Sequence, residues 1–114
     1  MKAVCEITLA RMIECVYAAM KVSLHGRPAF TLEIIDEVIR IVYRMTLSMS
    51  ERLVRSISAK VRRALMHMQY GGCVEECQNG MLRLSAWVLG CYAMMGDEIL
   101  ETSKLVQRTI RKGN

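Results

Sequence analysis

The sequence is poor in the residues on which catalysis and membrane insertion depend. Its 114 residues include two histidines, one proline and one phenylalanine, and aromatic residues make up 5%. No G-x-S-x-G pattern or comparable frame orients a nucleophile beside a base, so we expect no enzymatic activity. The longest run without a charge covers residues 84–96, whereas a membrane span needs about 20 residues. These absences predict a non-enzymatic protein without a membrane-spanning segment.

The cysteines form no complete metal-site pattern. Cys73 and Cys77 are four residues apart, a spacing that could place two thiolates on one helical face. No C-x-x-C or H-x-x-x-H pattern completes such a site, so we expect ordinary buried thiols and neither a metal nor another cofactor. The five cysteines are an odd number, and no secretory signal peptide precedes them. This combination predicts an intracellular, reducing compartment, either nuclear or cytoplasmic.

The composition favours a partner. Hydrophobic residues make up 53% of the chain and include ten methionines. This exceeds the usual 45–50%, so we expect part of the apolar surface to face another chain, like or unlike. The net charge of +5 favours acidic partners such as nucleic acid. Since few aromatic residues lie among the basic ones, base stacking on single strands is poorly supported.

Helical periodicity extends over nearly the whole chain, and no alternating strand pattern is visible. We therefore predict an all-α fold in a single domain, residues 1–114. A first unit would cover residues 3–70, and a C-terminal helical extension would cover residues 73–112. Besides the central segment described next, the predicted helices cover residues 3–22, the very apolar residues 81–95 and the amphipathic residues 98–111.

The central segment is predicted to be one long amphipathic helix from Thr31 to Arg55. Its polar residues recur with a mean spacing of about 3.7 residues, the period of one helical face. A break near Thr46 is the alternative, because Ser48–Glu51 matches a capping box, but the unbroken polar stripe favours continuity. The opposite, apolar stripe is the predicted dimer interface: Ile35, Val38, Val42, Met45, Met49 and Leu53.

A basic cluster lies around Ser56–Ser58, where we predict a joint between the long helix and a short one that stops at Gly71. A single uninterrupted helix through this segment is the alternative. Lysine and arginine side chains near helix starts are typical of phosphate binding, although a merely solvated basic face has the same composition. The predicted nucleic-acid-binding residues are Arg27, Arg52, Arg55, Ser56, Lys60, Arg62 and Arg63.

Two short motifs resemble core histones. Val38-Ile39-Arg40 resembles a run in the histone central helix, and Arg55–Val61 followed by Ala64-Leu65 looks like the second-loop pattern. The resemblance implies a histone fold, in which a long central helix lies between two short ones. It also implies that two chains clasp head to tail, with Arg27 of one beside Arg55 of the other. The function implied is binding of duplex DNA through its phosphate backbone in a histone-like manner.

A second hypothesis comes from a different class of protein. Compact viral apoptosis regulators are helical protein–protein interaction modules without a nucleic-acid role. Such a bundle would need a very apolar central helix entered after Asn79-Gly80 and running to Met95. The two hypotheses differ in which helix forms the axis of the core and in whether the basic cluster is functional.

Overall fold

The computed structural model describes residues 7–90 and 96–112. Most of these residues are helical, which confirms the all-α class at a coarse level, but a small antiparallel sheet is also present. The elements are α1 (Leu9–Ala18, continued by a wider turn at Ala19–Ser23), α2 (Thr31–Thr46), α3 (Glu51–Tyr70), β1 (Val74–Glu76), β2 (Leu82–Leu84), α4 (Ala86–Leu89) and α5 (Gly96–Lys112).

Helix α1 lies at the centre of the fold, where it packs on α3 and α5. Three of its side chains, Met12, Ile13 and Val16, are completely buried. Helix α2 packs on α3, and the whole arrangement shares a single hydrophobic core. The predicted start of the first helix at residue 3 lies outside the described residues.

The predicted continuous helix from Thr31 to Arg55 is wrong, because α2 ends at Thr46 and α3 begins at Glu51. Leu47 adopts a left-handed conformation with φ 54°, and its N–H donates to the carbonyl of Tyr43 at 2.7 Å. The connection of residues 47–50 is close to one helical turn in length. The polar stripe therefore keeps its phase across a break that periodicity alone does not reveal.

The predicted joint at Ser56–Ser58 is also wrong. Helix α3 is continuous over 20 residues, and the hydroxyl of Ser58 donates to the carbonyl of Val54 at 2.9 Å inside the helix. That hydrogen bond satisfies the serine without a helix start. Helices of 16 and 20 residues thus follow one another, so the described residues do not form the histone layout of one long helix between two short ones.

A β-hairpin occupies part of the predicted C-terminal helical extension, including the start of the helix predicted over residues 81–95. Strands β1 and β2 pair antiparallel, with Val74 opposite Leu84 and Glu75 opposite Arg83. Each strand has three residues, too few for alternation to stand out in the sequence. Asn79 and Gly80, which precede the predicted helix, both have positive φ angles at the hairpin turn.

The apolar helix required by the apoptosis-regulator hypothesis does not form in the described residues. Strand β2 and the four-residue helix α4 occupy positions 82–89, and Trp87 is half exposed. The remaining positions of that predicted helix, 91–95, lie outside the described residues. The core axis is α1 instead.

Ala29 joins the segment before α2 to the hairpin. Its N–H donates to the carbonyl of Leu82 at 2.9 Å, and the N–H of Leu82 donates back at 2.8 Å. From α1 to the hairpin, the chain order is a helix, a short strand-like bridge, two helices separated by a short turn, and two antiparallel strands.

Helix α5 closes the fold, and its predicted range of residues 98–111 is essentially confirmed. Ile99 and Ser103 are completely buried against the rest of the chain. A side chain at Gly96 would place Cβ 1.9 Å from the carbonyl oxygen of Ala10, so glycine permits a backbone contact between α5 and α1. Among the described helices, none is both long and apolar enough for a bilayer crossing.

Candidate nucleic-acid interface

Helix α3 carries six of the seven residues predicted to bind nucleic acid. Its inner face is buried in the core through a regular stripe that includes Leu53, Ile57, Val61 and Leu65. The basic residues lie on the other side. Arg52, Arg55, Arg62 and Arg63 are exposed, and Ser56 and Lys60 are half-buried.

The exposed face of α3 also contains two residues that the sequence analysis missed. Ala59 lies between Arg55 and Arg62 at helical spacing, and Met66 continues the same face with 48% of its surface exposed. The small side chain of Ala59 leaves room for another molecule to approach the helix closely. Their spacing of three or four residues from the arginines could have placed both on this face. The sequence analysis did not use that spacing, because it predicted a joint at Ser56–Ser58.

The arginines of this face are held loosely or not at all by carboxylates. Arg55 pairs with Glu51 at 3.3 Å, and both side chains are more than two-thirds exposed. A surface pair of this kind contributes roughly 0–1 kcal/mol, so an incoming phosphate can replace the glutamate. In the described part of the chain, no carboxylate pairs with Arg52, Arg62 or Arg63. These side chains are available to an anionic partner.

The turn before α3 determines how the basic face is presented. Ser50 is the N-cap of α3, and its hydroxyl accepts a hydrogen bond from the N–H of Leu53 at 3.1 Å. The turn itself is exposed, with Leu47 at 78%. Because α2 packs on α3 beside this turn, the first turns of α3 form a supported and accessible surface.

The hairpin is fixed to the end of α3 by Gly72. The carbonyl of Gly72 accepts hydrogen bonds from the hydroxyl of Ser85 at 2.6 Å and from the indole of Trp87 at 3.0 Å. Gly72 has φ 77°, a conformation that favours glycine. The exposed hairpin tip, Gln78–Gly80, contains side-chain and backbone amides but no charge. Behind it, Glu75 and Arg83 form an ion pair of 2.7 Å.

Arg27 is placed apart from the other predicted contacts. It is exposed in the loop before Ala29, and its Nε lies 3.4 Å from the carbonyl of Leu24. The neighbouring Gly26 and Pro28 line a groove together with Arg83 of the hairpin. Arg27 therefore lies on the hairpin side of the molecule and not beside the arginines of α3.

Most residues of the predicted dimer interface are not on the surface but inside the single chain. Ile35, Val38, Val42 and Leu53 are buried in the core of the single chain, because α1 and α3 cover this stripe. Met49 is half-buried, and Met45 is 62% exposed at the end of α2. An apolar stripe at helical spacing here indicates intramolecular packing.

Cys73 and Cys77 lie on either side of β1 and not on one helical face. Burial raises the pKa of the Cys73 thiol, which disfavours the thiolate that a metal would need. Within residues 7–90 and 96–112, no three histidine, cysteine, aspartate or glutamate side chains are grouped to hold a metal ion. Cys5 and Cys91 lie outside these ranges.

His67 lies where α3 meets α5. Its Nδ1 is buried and has no hydrogen-bond partner among the described residues. Burial lowers the pKa of His67, and the nearby positive charges of Arg63 and Lys104 lower it further. The neutral imidazole is therefore the favoured form in the folded chain.

Comparison with known proteins gives no family for this chain. It matches no protein-family model, no curated protein and no solved structure.

Proposed function

We propose that the chain binds duplex DNA by inserting the exposed face of α3 into the major groove. The observation that carries this proposal is the row of exposed arginines on a helix that directly follows a second helix and a short turn. Two helices joined by such a turn are the arrangement that DNA-binding helix–turn–helix proteins use, with the second helix in the groove. An α-helix with its side chains is roughly 10–12 Å in diameter and fits the roughly 12 Å width of the major groove, along which the face from Arg52 to Arg62 offers about 15 Å of contact.

The first turns of α3 are the part proposed to reach the bases. Arg52 and Arg55 lie there with Ser56, and arginine can contact guanine or phosphate with two hydrogen bonds. Ala59 allows close approach and offers only a methyl group, which suits contact with a thymine methyl. Arg62 and Arg63 lie further along the helix and are proposed to contact phosphates. This division combines sequence readout with electrostatic affinity.

The hairpin is proposed to lie beside the duplex as a wing. Its tip at Gln78–Gly80 offers amide donors and acceptors but no cation; Glu75 behind it pairs with Arg83, and the exposed Glu76 would have to point away from the phosphates. Most of the salt-dependent affinity should therefore come from α3. Arg27, on the hairpin side, is a candidate for an additional phosphate contact.

This proposal keeps the duplex DNA predicted from the sequence but changes how it is bound. A histone-like ridge would need Arg27 of one chain beside Arg55 of another. Here the α3 of each chain is a complete contact surface on its own. Neither a catalytic group nor a cofactor has a part in this mode of binding.

A protein-binding module without a nucleic-acid role is the second candidate function. It is favoured by the exposed apolar side chains at the end of α2, where Tyr43, Met45 and Leu47 are 50%, 62% and 78% exposed. Exposed apolar patches of this kind are common at protein–protein contact sites. In this case the arginines of α3 would be a solvated face.

Duplex binding measured against salt concentration separates the two functions. We expect affinity to fall steeply with salt, and we expect Arg52→Ala with Arg62→Ala to weaken binding and to reduce the salt slope by about 0.9 for each lost phosphate contact. Arg11→Ala, at an exposed arginine on α1, is the control for Arg62→Ala alone, because each removes one positive charge. Equal effects of the α3 and α1 substitutions, or no duplex binding at low salt, would contradict the proposal.

A further inference from the structure

The outer face of α5 has an ordered pattern that packing within the chain does not explain. Ile99 and Ser103 occupy the inner face and are completely buried. The opposite face is exposed and includes Leu105, which has 61% of its surface in solvent. Its other exposed members, at spacings of three and four residues, are Glu98, Glu101, Thr102, Arg108 and Thr109.

Charge on this outer face changes sign along the helix. Glu98 and Glu101 precede Leu105 and Arg108 follows it, while the exposed Lys104 lies at the edge of the face, where it pairs with Glu101. An antiparallel copy of the same helix, centred on Leu105, would place Glu101 of each chain opposite Arg108 of the other. The two copies of Leu105 would meet on the symmetry axis. The face is thus complementary to itself, as a two-fold interface requires.

The polar side chains on this face can be buried at little cost. The hydroxyl of Thr102 donates to the carbonyl of Glu98 at 2.9 Å, and that of Thr109 donates to the carbonyl of Leu105 at 3.0 Å. Covering these threonines would leave no unpaired hydroxyl. Glu101 has only an exposed pair with Lys104 at 3.4 Å, which an opposing arginine can replace.

An adjoining groove offers further contact area for the second copy. An open groove of about 540 Å³ lies between α1 and the start of α5, and its lining includes Asp97, Leu100 and the ion pair of Arg11 with Glu14. In the antiparallel arrangement the C-terminal end of the opposing α5 would lie beside this groove. One helix pair covers less than the roughly 800 Å² per partner of a standard interface, so the groove supplies surface that the dimer needs.

We propose that a second copy of this chain docks antiparallel on the outer face of α5, with Leu105 at the two-fold axis and Glu101 paired to Arg108 of the other copy. The proposed DNA contact is on α3 and does not depend on this pairing. Loss of the dimer and loss of DNA binding are therefore separable outcomes.

The test is a charge-reversal experiment read by sedimentation equilibrium. Glu101 and Arg108 are seven residues apart on one helix, about 10 Å, so they cannot pair within a chain. Glu101→Arg alone and Arg108→Glu alone each place like charges opposite one another twice, and we expect each variant to be monomeric where the wild type is dimeric. An equimolar mixture of the two variants should form a heterodimer, because both contacts then join opposite charges.

The double variant Glu101→Arg/Arg108→Glu should regain the homodimer. Far-ultraviolet circular dichroism verifies the helix content of each variant, and Leu105→Asp gives an independent disruption at the axis. A wild-type monomer at about 100 µM, single variants that remain dimeric, or a mixture that stays monomeric would overturn the proposal. Titration of duplex DNA with the single variants tests α3 separately.

Discussion

The hydroxyl of Ser103 donates a hydrogen bond to the backbone carbonyl of His67 and thereby fixes α5 to α3. The same hydroxyl lies 2.9 Å from the carbonyl of Ile99 in its own helix. Ser103 is completely buried, so no water competes for these contacts. The helix proposed to bind DNA and the helix proposed to bind a second copy are therefore joined directly.

Replacement of Ser103 should loosen this junction. Ser103→Ala removes the hydrogen bond that joins α5 to α3, while the carbonyl of His67 still accepts from the N–H of Gly71 at 2.9 Å, so we expect the free energy of unfolding to fall by about 1 kcal/mol. Urea denaturation gives the value. Ser23→Ala, at a half-buried serine outside this junction, is the control. A Ser103→Ala midpoint equal to that of the control would show that the contact contributes nothing.

Acidification should destabilise the fold through His67. Its pKa is lowered in the folded chain from the ordinary value of 6.5, so the unfolded chain binds more protons between the two pKa values. Stability should therefore fall as pH drops through 6.5 and should stop falling below the lowered pKa. Thermal unfolding of His67→Gln should depend less on pH in this range than that of the wild type.

The control for this pH effect is the exposed His25. Because His25 has φ 53°, His25→Asn is the suitable replacement, since asparagine tolerates the left-handed conformation. This variant should keep the acid sensitivity of the wild type. If His67→Gln keeps it as well, another group is responsible.

Ser50 and Ser48 provide a matched pair for testing the start of α3. Ser50→Ala should cost about 1 kcal/mol, because the N–H of Leu53 loses its capping acceptor. Ser48→Ala should have little effect, although Ser48 is the capping residue that the sequence pattern suggests. Chemical denaturation of both variants decides between the two caps, and a larger loss at Ser48 would contradict the observed one.

Leu47 is a position where glycine should stabilise the protein. Its φ of 54° is unfavourable for a leucine, and a side chain that is 78% exposed contributes little packing. We expect Leu47→Gly to raise the free energy of unfolding by up to about 1 kcal/mol. Met45→Gly, at an exposed position inside α2, should instead lower it by about 1 kcal/mol. A loss of stability at both positions would argue against strain at Leu47.

The sequence predicts α5 well because α5 is one amphipathic helix with clear ends. It fails at residues 47–50, since a turn of about one helical period leaves the pattern of buried and exposed residues in phase. It also fails at the hairpin, because strands of three residues are too short for an alternating pattern to stand out. Local periodicity reports which residues are covered, but not which part of the chain covers them.

The same reason explains which of the predicted site residues lie together on one face and which are buried in the core. Clustering of charge in the sequence was enough to locate the basic face, because Arg52, Arg55, Arg62 and Arg63 lie on one helix. Ala59 carries no chemical signal of its own and becomes relevant only through its place between the arginines. Val38 and Val42 were assigned to a partner because an apolar stripe looks alike whether another chain or the same chain covers it.

The close contact between α1 and α5 that Gly96 permits would affect DNA recognition as well as stability. In a pair of chains joined through α5, the separation of the two α3 helices depends on how closely α1 approaches α5 in each chain. Half-sites for paired helix–turn–helix proteins are about 10 base pairs apart, and a shift of a few ångströms changes which base pairs are met. A residue far from the DNA, with no side chain at all, would then determine the spacing of the sequence that the dimer recognises.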